Sequence, residues 1–426
     1  MYSGSSSEGS EDAAEENEFH QIKENDPNMT MLSWSGDMNM TDEELEELGR
    51  DIAKNTHLKN VYFWRGALDD HTVSLLCRGL TRSASITTMH LYENGLSVAA
   101  VQSMVPFLQS ADNLRVLVLS NNNIRSEGFN VLLRALRDSP IEILNCNNCG
   151  IQAIEIDNNY FPKHLTILRL NDNNINADGC QEIAKLLQGG GATLSTLWLQ
   201  NNRIDDDGAG ILADALRNNT SLTTLNLSEN DGISKQGMTM LLKLVNDISS
   251  IKATLESNHT LDLYCKLSFN ADKEIQRHIG EAITISRNNV SNPEVAGREK
   301  VIQTQLNSVK RAELADLQEV NQSLYNEIDP LHLPEVLSLV GHHHGHGELY
   351  VALKSSIVGL FSTVNMKKCM QKKKEYHVAK AAEHAAIAAE HRAKAEEIDA
   401  KLTAIDQAAE ANQDGGYSQS NKRRRT

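Results

Sequence analysis

The chain has 426 residues, of which 40% are hydrophobic, 23% charged and only 4% aromatic, so an elongated, leucine-built architecture is favoured over one large spherical core. No run of roughly 18 uncharged apolar residues is present, which argues against a membrane-spanning helix. The net charge of −16 is uneven, since residues 1–50 hold 14 acidic and 2 basic residues, and six cysteines without framework spacing indicate free thiols in a reducing compartment.

The first segment, residues 1–40, is acidic and rich in serine. We expect most of it to be disordered, because it can bury little apolar surface. It contains no apolar stretch of the kind that a secretory signal needs. Together with the free thiols, this composition favours an intracellular, cytoplasmic protein.

A helix start follows the acidic segment. Thr41 and Glu44 have the spacing of a capping box, in which the side chain of each residue accepts the backbone N–H of the other. Apolar residues then recur at helical spacing, as Leu45, Leu48 and Ile52. We predict a cap helix here that covers the N-terminal end of the next segment, since the ends of a repeat stack need covering.

A repeating leucine pattern fills residues 55–265. Copies of the pattern L-x-x-L-x-L-x-x-N-x-L start at Leu58, Ile86, Leu114, Ile141, Leu165, Leu194 and Leu222. Their start-to-start spacings are 28, 28, 27, 24, 29 and 28 residues, a regularity that chance does not produce. The apolar side chains at positions 1, 4 and 6 of each copy are predicted to point inward from a short strand. Strands of successive copies are predicted to stack in parallel.

Position 9 of the pattern holds an asparagine in five copies. There the chain is predicted to turn away from the strand. A buried side-chain amide at this point can bond backbone groups of neighbouring turns that would otherwise be unsatisfied. The predicted structural asparagine ladder comprises Asn94, Asn122, Asn173, Asn202 and Asn230.

The second half of each copy is predicted to be a helix. Gly128, Gly179 and Gly208 lie six residues after an asparagine of the ladder, and apolar stripes at helical spacing follow them. One face of each helix would then pack on the strand layer. The fourth copy is only 24 residues long and carries Phe161-Pro162 where its helix should be, so this helix is predicted to be shortened or absent.

These copies resemble the leucine-rich repeat family, and their period of about 28 residues resembles its ribonuclease-inhibitor-like class. The resemblance implies an α/β fold, a horseshoe-shaped solenoid with parallel strands inside and helices outside, followed by a helical C-terminal region. We place this domain at residues 41–290. A C-terminal closing helix is predicted from the stripe of Ile275, Ile279 and Ile283.

Beyond the repeats the sequence predicts three further segments. Residues 291–365 have amphipathic stripes and predict a helical module, whose His-rich tract at 342–346 is interpreted as a loop because glycines flank it. Residues 366–412 predict a long, charged, alanine-rich helix or a weak coiled coil that self-associates. Residues 413–426 predict a disordered basic tail, which leaves nuclear import open. The acidic first fifty residues argue against nucleic-acid binding.

The predicted binding site lies on the concave face, where positions 5 and 7 of each copy point outward. Two tryptophans and two tyrosines fall at these positions, and exposed aromatic side chains are costly unless a partner covers them. Tryptophan, tyrosine and arginine are also the commonest anchors of protein interfaces. The predicted partner-binding residues are Tyr62, Trp64, Tyr92, Arg169 and Trp198.

No motif in the sequence predicts catalysis, a metal or a cofactor. Cys146 and Cys149 have the spacing of half a zinc site, but no second pair of ligands lies near them in the sequence. Both occupy positions of the repeat pattern, so we interpret them as small buried hydrophobic residues. Neither a phosphate-binding loop nor a nucleophile elbow is present.

The sequence therefore predicts a non-enzymatic scaffold or adaptor that binds a protein partner on the concave face. The alternative is a GTPase-activating protein of the Ran type, which resembles this chain in its repeats and orders the catalytic residues of its partner. Those proteins have an acidic tail after the repeats, whereas the acidic segment lies before them here. An immune sensor of the NOD type lacks support because no nucleotide-binding loop is present. A ribonuclease inhibitor would be far richer in cysteine.

Overall fold

A computed structural model describes residues 18–157, 161–189, 193–266 and 272–306. The predicted helical module beyond residue 306, the His-rich tract, the alanine-rich helix and the basic tail therefore lie outside the described residues. No helix in the described ranges is both long enough and apolar enough to span a membrane.

The described residues form nine strands in one sheet, and every neighbouring pair is parallel and consecutive in the chain. The strands are β1 Met31–Ser35, β2 Asn60–Trp64, β3 Thr88–His90, β4 Val116–Val118, β5 Ile143–Asn145, β6 Ile167–Arg169, β7 Thr196–Trp198, β8 Thr224–Asn226 and β9 Asp262–Tyr264. From β2 to β8, the residues at position 4 of the repeat pattern lie side by side, as Val61, Met89 and Leu117 do. The predicted stack of parallel repeat strands is confirmed.

Helices alternate with the strands and cover one face of the sheet. They are α1 Asp42–Lys54, α2 Asp70–Leu80, α3 Val98–Ser110, α4 Arg125–Ala135, α5 Ala177–Gln188, α6 Asp206–Leu216, α7 Lys235–Val245, α8 Ile251–Leu255, α9 Lys273–Asn288 and α10 Pro293–Lys300, and a π-helical turn, Val301–Leu306, follows α10. The core lies between helices and strands, and the pattern leucines of β4, Leu114, Leu117 and Leu119, have no exposed surface. The leucine-rich-repeat solenoid predicted from the sequence is therefore the observed fold.

The asparagine ladder closes the turn after each strand. The Asn122 amide nitrogen donates to Leu119 O at 2.8 Å within its own repeat and also to Leu91 O in the preceding repeat. Its Oδ1 accepts the backbone N–H groups of Asn94 and Leu96, each at 3.0 Å. Asn173 and Asn230 repeat this pattern, so each amide connects two neighbouring repeats. Where Cys149 replaces asparagine, its thiol donates to Leu119 O at 3.1 Å.

The residue before each ladder position has a left-handed backbone. Its φ lies between 49° and 61° at Arg65, Glu93, Asn121, Asn148, Asp172, Asn201 and Glu229. Asparagine and aspartate tolerate this conformation better than most residues do, which explains why they occupy four of these seven positions. The same backbone twist therefore recurs at the end of every repeat strand from β2 to β8.

The fourth repeat has no helix in its described residues, 146–157 and 161–166, in agreement with the sequence prediction. Side chains of α4 accept backbone N–H groups of this segment, which in a helix would bond to backbone carbonyls. Ser126 Oγ accepts the N–H groups of Gln152 and Ala153 at 2.9 Å, and Asn130 Oδ1 accepts that of Glu155 at 3.0 Å. Residues 152–155 therefore run alongside α4 without forming a helix.

The N-terminal boundary differs from the prediction that residues 1–40 are mostly disordered. Residues 31–35 form β1, in which Leu32 and Trp34 point into the core. A helical turn over 18–23 precedes it, and Phe19 stacks on Trp34 with 5.2 Å between the ring centroids. Only two core residues alternate in β1, and no asparagine of the ladder follows them. The sequence of β1 therefore does not match the repeat pattern, and this first strand is not predicted from it.

At the C-terminal end, α9 contains the three isoleucines from which the closing helix was predicted, and all three are buried. The last residue of α10, Lys300, is also fully buried. Its side-chain nitrogen donates to Val245 O, at the end of α7, over 2.7 Å and lies 3.2 Å from Nδ1 of His259. Lys300 thus fastens α10 to the last repeats.

We predict that the side-chain amide of Asn122, in the ladder, contributes far more to the free energy of unfolding than that of the adjacent Asn123. Asn122→Ala should lower the free energy of unfolding by roughly 2–4 kcal/mol, because buried N–H and C=O groups lose their partners. The matched control is Asn123→Ala, whose side chain is exposed and should cost less than about 0.5 kcal/mol. Urea denaturation of both variants measures the difference. Equal losses would contradict the role of the ladder.

We also predict that the Lys300 contact makes stability depend on pH. Burial lowers the pKa of Lys300 from 10.5 to about 7, so between these values the unfolded chain binds a proton that the native chain does not. As the pH falls from about 10.5 to about 7, the wild type should therefore lose stability relative to Lys300→Met, and the difference should level off below about 7. Urea denaturation across this range tests it, and a pH-independent difference would refute it.

Candidate functional site

The side of the sheet opposite the helices carries the candidate site, and we call it the strand face. It consists of two columns of side chains at positions 5 and 7 of the repeats. The position 5 column runs Ser33, Tyr62, His90, Val118, Asn145, Arg169, Trp198, Asn226 and Tyr264. Because side chains alternate along a strand, these residues point away from the buried leucines. Most of them are half-buried against one another.

An aromatic group occupies the N-terminal part of the strand face. Tyr62 and His90 are adjacent in register, and their rings meet edge to face with 4.6 Å between centroids. The Arg65 guanidinium lies 4.9 Å from the centroid of Trp64, and its nearest nitrogen is 3.8 Å from the Glu93 carboxylate. Burial lowers the pKa of His90, so its imidazole is neutral at pH 7. This part of the face is aromatic and has little net charge.

A second group lies on β6 and β7, where the Arg169 guanidinium is 5.6 Å from the centroid of Trp198. A third lies on β9, where Arg287 of α9 lies 5.3 Å from the Tyr264 ring and donates to Asp262. The third group is absent from the sequence prediction, because β9 lacks the leucine and asparagine pattern.

The predicted partner-binding residues therefore form two groups on one face. Tyr62, Trp64 and Tyr92 lie on or directly after β2 and β3, whereas Arg169 and Trp198 lie on β6 and β7. Strands β4 and β5 separate the two groups. A single small ligand would not cover both, but a protein surface or an extended peptide could.

Amide side chains fill the strand face around the second group, and we call Asn145, Asn147, Asn171 and Gln200 the amide row. Oδ1 of Asn147 accepts the N–H of Asn171, and Oδ1 of Asn171 accepts the N–H of Gln200, both at 2.9 Å. Asn145 Oδ1 accepts the N–H of Asn147 at 3.2 Å and the Ser120 hydroxyl at 2.8 Å. The side-chain oxygens of the three asparagines thus accept N–H groups at the strand ends, while the oxygen of Gln200 accepts the side-chain amide of Asn226.

The cysteine pair lies away from this face. Cys146 and Cys149 are both fully buried, and burial raises the pKa of the Cys146 thiol. In the described ranges no three histidine, cysteine, aspartate or glutamate side chains cluster as they would around a metal ion. The two thiols occupy repeat core positions and point into the stack.

Comparisons with known proteins agree with this architecture. Residues 112–129, 162–184 and 218–242 match the sequence profile of the leucine-rich repeat family. Ribonuclease inhibitor of Sus scrofa is 29% identical over 189 residues, which are 42% of this chain and 41% of that protein. NACHT, LRR and PYD domains-containing protein 5 of Mus musculus is 26% identical over 237 residues, 53% of this chain and 20% of that protein.

The chain thus spans less than half the length of these curated relatives. Among solved structures, the yeast Rad7 and Elc1 complex is matched with a TM-score of 0.42 at 16% identity, over 62% of this chain and 63% of that chain. The family profile and the sequence relatives confirm the predicted leucine-rich repeats of the ribonuclease-inhibitor-like class.

Proposed function

We propose that this chain, a leucine-rich repeat protein of the ribonuclease-inhibitor-like class, is a non-catalytic scaffold or adaptor that binds a protein partner on its strand face. The observation that carries the proposal is the set of aromatic side chains at Tyr62, Trp64, Tyr92 and Trp198, which remain only half-buried on one face of a regular sheet. Aromatic surface of this kind is stabilised when a partner covers it.

The relatives support a protein-binding role. Ribonuclease inhibitor, as its name states, acts on another protein, and it is 29% identical to this chain over 189 residues. Repeats from β2 to β8 keep their backbone nearly constant while the side chains of the strand face vary from one repeat to the next. Such a scaffold suits recognition of an extended protein surface.

GTPase activation of the Ran type is the alternative function. Nothing in the described residues favours it over simple binding. The two functions differ in one measurable property: only an activating protein accelerates GTP hydrolysis by a small GTPase, and a single-turnover assay detects this directly.

We further propose an intracellular, cytoplasmic location. Five cysteines, Cys77, Cys146, Cys149, Cys180 and Cys265, are buried free thiols, as is common in a reducing compartment. Self-association through residues 366–412 and nuclear import by the basic tail rest on the sequence alone, since both segments lie outside the described residues.

We predict that four alanine substitutions, at Tyr62, Trp64, Tyr92 and Trp198, abolish partner capture while the fold persists. Proteins captured from a cell lysate by the wild type should fall at least about tenfold with the variant, because buried aromatic anchors carry most of the binding free energy of an interface. Quantitative mass spectrometry measures the capture, and thermal unfolding verifies the fold.

The matched control replaces four exposed side chains on the helices, Gln102, Glu127, Gln181 and Asp214, with alanine. This variant should capture the same proteins as the wild type. The proposal is wrong if the helix variant loses the partner, or if the strand-face variant keeps it.

A further inference from the structure

We infer that the strand face contains a carboxylate-binding site centred on Arg169, which takes an aspartate or glutamate side chain from an extended segment of the protein partner. The inference rests on the proposed function and specifies the chemistry that the partner must offer. It is carried by one unpaired guanidinium and by the uniform hydrogen-bond polarity of the amides around it.

Arg169 differs from the other arginines that flank the strand face. Arg65 faces Glu93, Arg115 pairs with Glu142, and Arg287 pairs with Asp262. For Arg169, no carboxylate of the described residues lies within ion-pair distance. Its Nε is buried and has no hydrogen-bond acceptor in the same ranges. No hydrogen bond joins the terminal guanidinium N–H groups to an acceptor in those ranges, so these groups remain available to a ligand.

Asp172, the carboxylate nearest to Arg169 in the sequence, does not form an ion pair with its guanidinium. Asp172 lies three residues after Arg169, beyond the end of β6, where its backbone is left-handed. Its Oδ1 accepts the side-chain amide of Asn201 at 2.7 Å. Asp172 is therefore used in the turn, and the guanidinium remains available to a ligand.

Side-chain amides lie on the same face beside Arg169 in the sheet register. Asn145 is the register neighbour of Arg169 on β5, and Asn171 lies two residues further along on the same face. The Oδ1 atoms of Asn145, Asn147 and Asn171 each accept a backbone N–H, which fixes the orientation of each amide. Their Nδ2 groups have no acceptor within the described residues, so these three amides present hydrogen-bond donors.

Trp198 provides the other wall of the site. It is the register neighbour of Arg169 on β7, and its ring lies 5.6 Å from the guanidinium carbon. Contact with the ring restricts the guanidinium to few orientations, so the Arg169 side chain loses less conformational entropy when it binds a ligand. A planar carboxylate matches the paired N–H groups of an arginine.

The charge of the site selects a single carboxylate over a polyanion. Arg169 is the one cation among these donors, since the amides of Asn145, Asn147 and Asn171 are neutral. Phosphate groups are usually bound by clusters of arginine, and nucleic acids by many cations. The chain also has a net charge of −16, which opposes binding of a polyanion. One aspartate or glutamate side chain fits the available charge.

Selection of displayed random dodecamer peptides on the full chain provides the probe. Peptides enriched on the wild type should share an aspartate or glutamate, and its replacement by asparagine or glutamine should weaken binding by roughly 10- to 100-fold in fluorescence anisotropy. Arg169→Gln should weaken the acidic peptide by a similar factor. Combining the two changes should add little, because they remove the same contact. Arg169→Lys should bind with intermediate affinity.

The control Lys243→Gln makes the same change in net charge on a helix and should leave the peptide affinity unchanged. The inference fails if the enriched peptides lack a shared acidic residue or if no peptide is enriched. It also fails if the affinity losses from Arg169→Gln and from replacing the acidic residue of the peptide are additive. Peptides that bind Arg169→Gln normally but lose affinity for the alanine variants of Tyr62 and Trp64 would overturn the carboxylate site while the proposed strand-face function stands.

Discussion

The buried side-chain amide after each strand is the interaction on which the rest of the structure depends. A chain that leaves a strand and turns toward a helix exposes N–H and C=O groups that its own repeat cannot satisfy. Asn122 bonds both to Leu119 of its own repeat and to Asn94 of the preceding one, so the amide of one repeat completes the turn of another. No repeat is closed by itself, and stability is a property of the stack.

The same constraint creates the strand face. Since the ladder fixes where each turn lies, it fixes the register of the strands, and side chains of neighbouring repeats stand about 4.8 Å apart. On this regular backbone, the row that includes Asn147 and Asn171 satisfies the strand ends from the solvent side, as the ladder does from the core side. The side-chain oxygens of these asparagines accept backbone N–H groups, and their side-chain nitrogens remain as donors for a ligand.

The repeats are predictable from the sequence because the apolar residues of the pattern are the ones that the structure buries. The absence of a helix from the fourth repeat is predictable because a proline and a short repeat both oppose helix formation. The sequence misses β1 and β9, since Trp34 and Leu263 pack like pattern residues without the surrounding pattern. The unpaired state of Arg169 depends on lateral distances between repeats, which the order of residues does not encode. The sequence also places five binding residues on one face without showing that they form two groups.

The extended fourth repeat interrupts the outer layer between Ala135, where α4 ends, and Ala177, where α5 begins, over the residues described there. Coupling across this point passes through the sheet, the ladder and the side chains of Ser126 and Asn130, whereas elsewhere helix packing contributes as well. The outer helix layer is thus interrupted at one point within a single compact unit. Arg169 and Trp198 lie on the C-terminal side of this interruption and Tyr62 on the N-terminal side, so a ligand that contacts both groups would span it.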